Sequence, residues 1–162
     1  MPAYSFNTRF VPMVVDGTKR QTIRARRKNP AKVGDTLYLY SGLRTKYCKK
    51  LREDKCTATT TIIITKFNIL LLDRRLTNDE CDILRNYDIS GKIEYKSTFY
   101  KIWPKGFFIQ NLDTYPRNQL AWNDGFRPDE SSFINPNGCY ELMKRYFAQT
   151  HELPFIGDII YW

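Results

Sequence analysis

Histidine is almost missing from this chain: His151 is the single one among 162 residues. Catalysis that passes protons between two histidines is therefore excluded, and a zinc site built on a histidine pair is excluded with it. The four cysteines, Cys48, Cys56, Cys81 and Cys139, include no pair with C-x-x-C spacing, so neither a zinc knuckle nor a redox centre is expected. The opening stretch MPAYSFNTRF lacks the apolar segment of an export signal. Disulfides are accordingly not expected, and all four thiols read as buried or half-buried. No apolar run approaches about 18 residues, so no transmembrane helix is expected and the sequence reads as cytoplasmic. There is no internal repeat and no low-complexity tract.

Acid is scarce in the first third. Residues 1–55 hold 14 Lys and Arg against 4 Asp and Glu, whereas residues 56–162 hold 12 against 13. The net charge of +9 thus arises entirely in the first third. A charge excess so localised points to an anionic partner, and nucleic acid is the commonest. The remaining composition, 42% hydrophobic and 15% aromatic, is enough to build the core of one domain.

Strand signals dominate the early chain. Residues 9–15 are apolar and lead into the turn Asp16-Gly17. A strand is expected over 20–26, another over Thr36 to Tyr40, and a basic loop or irregular hairpin over 42–55. The Thr/Ile-rich run from Cys56 to Phe67 gives the strongest strand signal, and Leu70 to Leu72 extend it. Thr77-Asn78-Asp79-Glu80 reads as a helix start. A second helix is expected from Asn118 to Gly125. A third, over 139–151, carries Leu142, Met143, Tyr146 and Phe147 on one face. The chain closes on an apolar strand, 155–162. Strands first, helices late and a closing strand predict an α+β fold around a small closed or half-closed barrel.

The densest charge lies in "GTKRQTIRARRK", residues 17–28, with six cations and no acid. Alternation on a strand puts Thr22, Arg24 and Arg26 on one face, with Ile23 and Ala25 toward the core. Lys19, in the preceding turn, reaches back over the polar face. Two roles fit. Arginines clamp phosphate or carboxylate through paired hydrogen bonds. Crowded cations also favour a neutral lysine, which serves as general base for the Thr22 hydroxyl.

Gly17-Thr18-Lys19-Arg20-Gln21-Thr22-Ile23-Arg24 resembles the ASCH-domain signature G-x-K-x-x-T-x-R. Gly34-Asp35 and the strand Leu37 to Tyr40 match that family's next element. "YSGLRTKYCKKL" resembles its phage and prophage members, "LAWNDGF" its later helix and "FIGDIIYW" its closing strand. The resemblance implies one ASCH domain over 1–162, with a PUA-like small β-barrel, flanking helices and an inserted lobe at 73–117. Small members include amidohydrolases that deacetylate N4-acetylcytidine; others are ribonucleases or plain RNA binders. The resemblance implies catalytic roles for Lys19, Thr22 and Arg24, and for Asp124 where the amidohydrolases carry glutamate. Arg26, Arg27, Lys28, Arg44, Lys46, Lys49 and Lys50 are then expected on phosphates, and Tyr40 and Trp122 stacked on a base. RNA or a modified nucleoside is the expected partner, single-stranded nucleic acid included, with no cofactor, no metal and no membrane. A phage-encoded member would work in the host cytoplasm.

Overall fold

A computed structural model of the chain describes residues 2–65, 69–72, 75–85, 109–111, 114–126 and 137–162. The fold is α+β, with two sheets. The smaller sheet has the order β1-β3-β4, built from Ala3–Phe6, Thr36–Ser41 and Lys49–Lys55. β1 runs parallel to β3, and β3 and β4 form an antiparallel hairpin with an irregularity between Leu39 and Tyr40. The larger sheet is antiparallel throughout, in the order β2-β8-β5-β6-β7. Its strands are Gln21–Ala25 (β2), Phe155–Tyr161 (β8), Ala58–Ile64 (β5), Ile69–Leu72 (β6) and Ile109–Asn111 (β7). The chain passes from the small sheet to the large one at Cys56-Thr57, where Thr57 N–H still donates to Tyr161 O at 2.9 Å. Among the described residues the strands form two open sheets, and no closed barrel joins them.

The closing strand β8 lies between β2 and β5, and Phe155 to Ile160 are all buried, Asp158 among them. Ile62 and Ile64 of β5 face the main core together with Leu37, Leu39 and Ile159. Ile63 and Thr61 point to the opposite face, where Leu76 N–H donates to Thr61 Oγ1 at 3.0 Å. Gly157 lets β2 and β8 close up, since a Cβ there would lie 2.5 Å from Arg24 O and 2.5 Å from the Phe155 ring.

Helices follow their local signals with shifted limits. Val11–Val15, within the apolar stretch that leads into Asp16-Gly17, is a short helix, α1. Asn78–Arg85 (α2) begins with a capping box: Thr77 N–H donates to Glu80 Oε2 and Glu80 N–H to Thr77 Oγ1. Thr114–Asn123 (α3) starts four residues before Asn118. Asn137–Thr150 (α4) buries Cys139, Tyr140, Met143 and Phe147, whereas Leu142 and Tyr146 sit at its exposed edge. Two further expectations are corrected. Ala25 is exposed rather than core-facing, while Thr22 is buried along with Ile23, because β2 is covered on both faces. Cys48 lies exposed on the β3–β4 hairpin, unlike the other three thiols. Phe67 and most of the expected 73–117 insertion lie outside the described residues; α2, β7 and the start of α3 are the parts described. Among the described residues no helix is long and apolar enough to cross a membrane.

Candidate functional site

Lys19 leaves the turn after α1 and enters the interior, where it is 1% exposed. A lone buried ammonium is costly to desolvate. The chain answers by bringing the end of α3 to it. That helix stops in a Schellman turn: Phe126 N–H donates to Ala121 O, and Gly125 N–H to Trp122 O, both at 2.9 Å. Gly125 has a φ of 87°, and a Cβ there would lie 2.9 Å from the Phe10 ring, so glycine is required on two counts. Asp124 becomes the capping residue and meets the lysine twice. Lys19 Nζ donates to Asp124 Oδ1 at 3.0 Å and to the Asp124 main-chain carbonyl. Carbonyls at a helix C-terminus carry the negative end of its dipole and favour the ammonium further. Asp124 Oδ1 also accepts from Ile23 N–H at 3.1 Å, on the outer edge of β2. One carboxylate thus joins a helix end, a buried lysine and a sheet edge.

Burial pushes the Asp124 carboxyl above its ordinary range, opposed by the Lys19 ammonium and then by Arg24.

Lys19, Thr22, Arg24 and Asp124 line one open cleft of about 470 Å³ including its mouth. Phe6, Phe10, Phe126, Tyr146 and Phe147 supply its apolar walls, with Phe126 edge-on to Phe10 at 5.8 Å. The Thr22 hydroxyl makes no hydrogen bond among the described residues. Arg24 Nη2 donates to Ser5 O at 2.8 Å, and the guanidinium packs 4.9 Å from the Phe6 ring centre. Burial pushes the Arg24 pKa down, with Asp124 resisting, yet a guanidinium stays charged at working pH. Its Nε is buried without an acceptor among the described residues. A carbonyl oxygen or oxyanion in the cleft would satisfy it.

A second open space of about 680 Å³ adjoins this one, sharing Ile23, Arg24, Tyr146 and Phe147 and reaching His151. The His151 ring sits 5.3 Å from Phe147 and 4.7 Å from Phe155. Burial holds its pKa below the ordinary value.

The other expected site residues do not line the cleft, although Arg26 and Arg27 line the adjoining space. Arg26 is turned inward: its side chain is 5% exposed and its Nη2 donates to Asp158 Oδ1 at 3.1 Å, an ion pair that Arg75 shares. It is a structural cation, held by a buried carboxylate that a phosphate would have to displace. Arg20 turns back to Gly17 O at 2.7 Å, so a carboxylate, and not a ring of arginines, meets Nζ. Arg27 and Lys28 are exposed, with Arg27 Nη1 donating to Ala3 O at 3.0 Å. Arg44, Lys46, Lys49 and Lys50 are exposed on the β3–β4 hairpin. Tyr40 and Trp122 do not line the cleft; Tyr40 lies on β3, and Trp122 is 41% exposed on α3. The aromatic walls were missed as site residues, although Phe126, directly after a helix-stopping glycine, carried a readable packing signal. Ser5 and Phe6 were missed because β1 gave no strand signal of its own.

No protein-family model, curated protein or solved structure matches this chain.

Proposed function

We propose that the chain is an ASCH-type, PUA-like domain whose cleft takes a nucleoside or an RNA base and hydrolyses an N4-acetylcytidine-like amide. The observation that carries this reading is convergence. The signature residues Lys19, Thr22 and Arg24 share one cleft with Asp124, which lies 105 positions beyond Lys19 and touches it at 3.0 Å. The shorter acid reaches because the helix end comes to the lysine.

In this reading the Asp124 carboxyl takes a proton from Nζ, leaving a neutral amine. Lys19 then removes a proton from the Thr22 hydroxyl, or from a water that Thr22 positions. The oxygen attacks the acetyl carbonyl, and the electron pair moves to the carbonyl oxygen beside Arg24. Collapse of that intermediate breaks the C–N bond, and the proton held by Lys19 or Asp124 passes to the departing cytosine amine. Where Thr22 is the attacking group, water releases acetate and restores the hydroxyl. The aromatic walls suit the flat base.

A second reading is a binding module without hydrolysis. The double contact of Nζ with Asp124 favours it, because a lysine so held also serves as a structural pin.

The test is incubation with N4-acetylcytidine and with structured RNA, followed by chromatography for cytidine and cleaved fragments. Cytidine is expected, falling about 100-fold or more in Thr22→Ala and Lys19→Met. Activity that survives both substitutions would refute the catalytic assignment. RNA retained at low salt with no product from either substrate selects the binding module, and cleaved RNA selects a ribonuclease.

A further inference from the structure

The β3–β4 hairpin carries the second concentration of positive charge, and none of it lines the cleft. Residues 42–50, GLRTKYCKK, hold four cations and no acid. Residues 44–50 are exposed throughout. On β3, Leu37 and Leu39 are fully buried, which turns Tyr38 and Tyr40 to the other, partly exposed face. Tyr40 stands opposite Lys50 in the ladder, and Lys50 Nζ lies 5.3 Å from the Tyr38 ring centre. At the tip, Tyr47 is 74% exposed, with Lys46 Nζ 5.0 Å from its ring centre. One acid, Glu53, stands opposite Tyr38 in the ladder and is paired with Lys50.

Lone exposed aromatics on a surface are ordinary. Here the pattern differs: three tyrosines interleave with lysines on one hairpin. We infer that the outer face and tip of the β3–β4 hairpin dock single-stranded nucleic acid, separately from the cleft. Bases stack on Tyr47, Tyr38 and Tyr40, while Lys46, Lys49 and Lys50 follow the phosphates. Stacking accepts any base because every base has a π-face, and interleaved cations give the salt-dependent part of the affinity. A duplex buries its base faces against each other, so this surface selects unpaired strands. Charge complementarity sets the class of partner, and the tyrosines separate a nucleic acid from a merely acidic protein. The inference rests on the nucleic-acid part of the proposed function and not on hydrolysis.

Fluorescence anisotropy with a labelled uridine oligonucleotide of about 12 nucleotides tests it. Tyr47→Ala is expected to weaken binding by about 5- to 100-fold and Tyr47→Phe to restore most of it. Lys46→Ala combined with Lys49→Ala is expected to weaken binding and to lower the slope of log affinity against log salt by about 0.7 per lost phosphate contact. Melting temperatures monitor folding; these side chains are exposed, so they should not move. N4-acetylcytidine turnover should be unchanged in all these variants. The inference is overturned if wild type fails to hold the oligonucleotide at low salt, or if Tyr47→Ala and the lysine pair bind as wild type does. It is equally overturned if a duplex or poly-glutamate displaces the strand as well as unlabelled strand does. Absence of turnover alongside hairpin-dependent binding would sink the amidohydrolase reading alone.

Discussion

Asp124→Ala removes one partner of a buried ion pair and strands the other. The side chains of Lys19 and Asp124 are 2% and 7% exposed, so loss of the carboxylate leaves a largely desolvated ammonium. Ile23 N–H on the edge of β2 loses its acceptor in the same step. Breaking such a pair from one side costs about 3–5 kcal/mol. At this chain length each kcal/mol lowers Tm by roughly 2–4 °C, so a fall of about 6–20 °C is expected. Removing both charges together should behave differently. In the double variant Lys19→Met with Asp124→Leu, the desolvation penalty disappears along with the attraction, and most of the loss should be recovered. Thermal melts followed by circular dichroism, on wild type, both single variants and the double, complete the cycle. An Asp124→Ala protein that melts within about 2 °C of wild type would refute the reasoning. So would a double variant whose loss equals the sum of its two singles.

Gly157→Ala should destabilise by at least about 1–3 kcal/mol in urea unfolding, because the new Cβ meets the backbone of β2 and not a movable side-chain end; an unchanged midpoint would mean the two strands lie further apart. Arg26→Ala should lower Tm while leaving the salt dependence of RNA binding intact, whereas exposed Arg27→Ala should reduce that salt dependence with little effect on Tm. The opposite pairing of outcomes would return Arg26 to the phosphate-contacting set. His151 carries a pH signature. Its folded pKa lies below the ordinary 6.5, so the unfolded chain binds the proton first as pH is lowered. Stability should therefore decline as pH falls below about 6.5, and His151→Asn should flatten that part of the urea-midpoint profile. A wild-type profile as flat as the variant's would show that burial does not disfavour the charged ring.

Local signals were legible where one residue type decides the geometry. Asp16-Gly17, the Thr77 to Glu80 cap and Gly125 each ended or began an element close to its expected place, because caps and left-handed turns depend on neighbours in sequence. The Thr/Ile run found its strand, and β8 its central place, because both are apolar beyond what one face requires. Partnership was less legible. Alternation placed Arg24 and Arg26 side by side, but it could not tell that Asp158, opposite Arg24 in the β2–β8 ladder, takes Arg26 out of solvent. Nor could counting cations around Lys19 show that an acid more than a hundred residues away reaches Nζ first. The buried face of α4 shares Met143 and Phe147 with the expected one but is turned toward Cys139 and Tyr140, which leaves Leu142 and Tyr146 at the exposed edge. Small strands such as β1 carry too few residues to announce themselves, and β1 is what brings Ser5 and Phe6 to the cleft.

The two halves of the site lie far apart in sequence and meet at one edge of the larger sheet. β2 forms one edge of the five-stranded sheet, and its outer N–H at Ile23 is where Asp124 docks. β7, the strand that follows the long intervening segment, forms the opposite edge, with β8, β5 and β6 in between. The chain after β6 returns to the β2 side before α2, where Arg75 Nη2 pairs with Asp158 at 2.6 Å and Arg26 Nη1 donates to Thr77 O at 3.3 Å. What the site demands of that segment is only that α3 arrive with its C-terminal end at Lys19. The Schellman turn fixes that end locally, through Gly125 and the packing of Phe126 on Phe10. The lysine-threonine-arginine signature and the helix stop are thus two halves of one device, coupled by a single carboxylate. A change in either half is felt in the other.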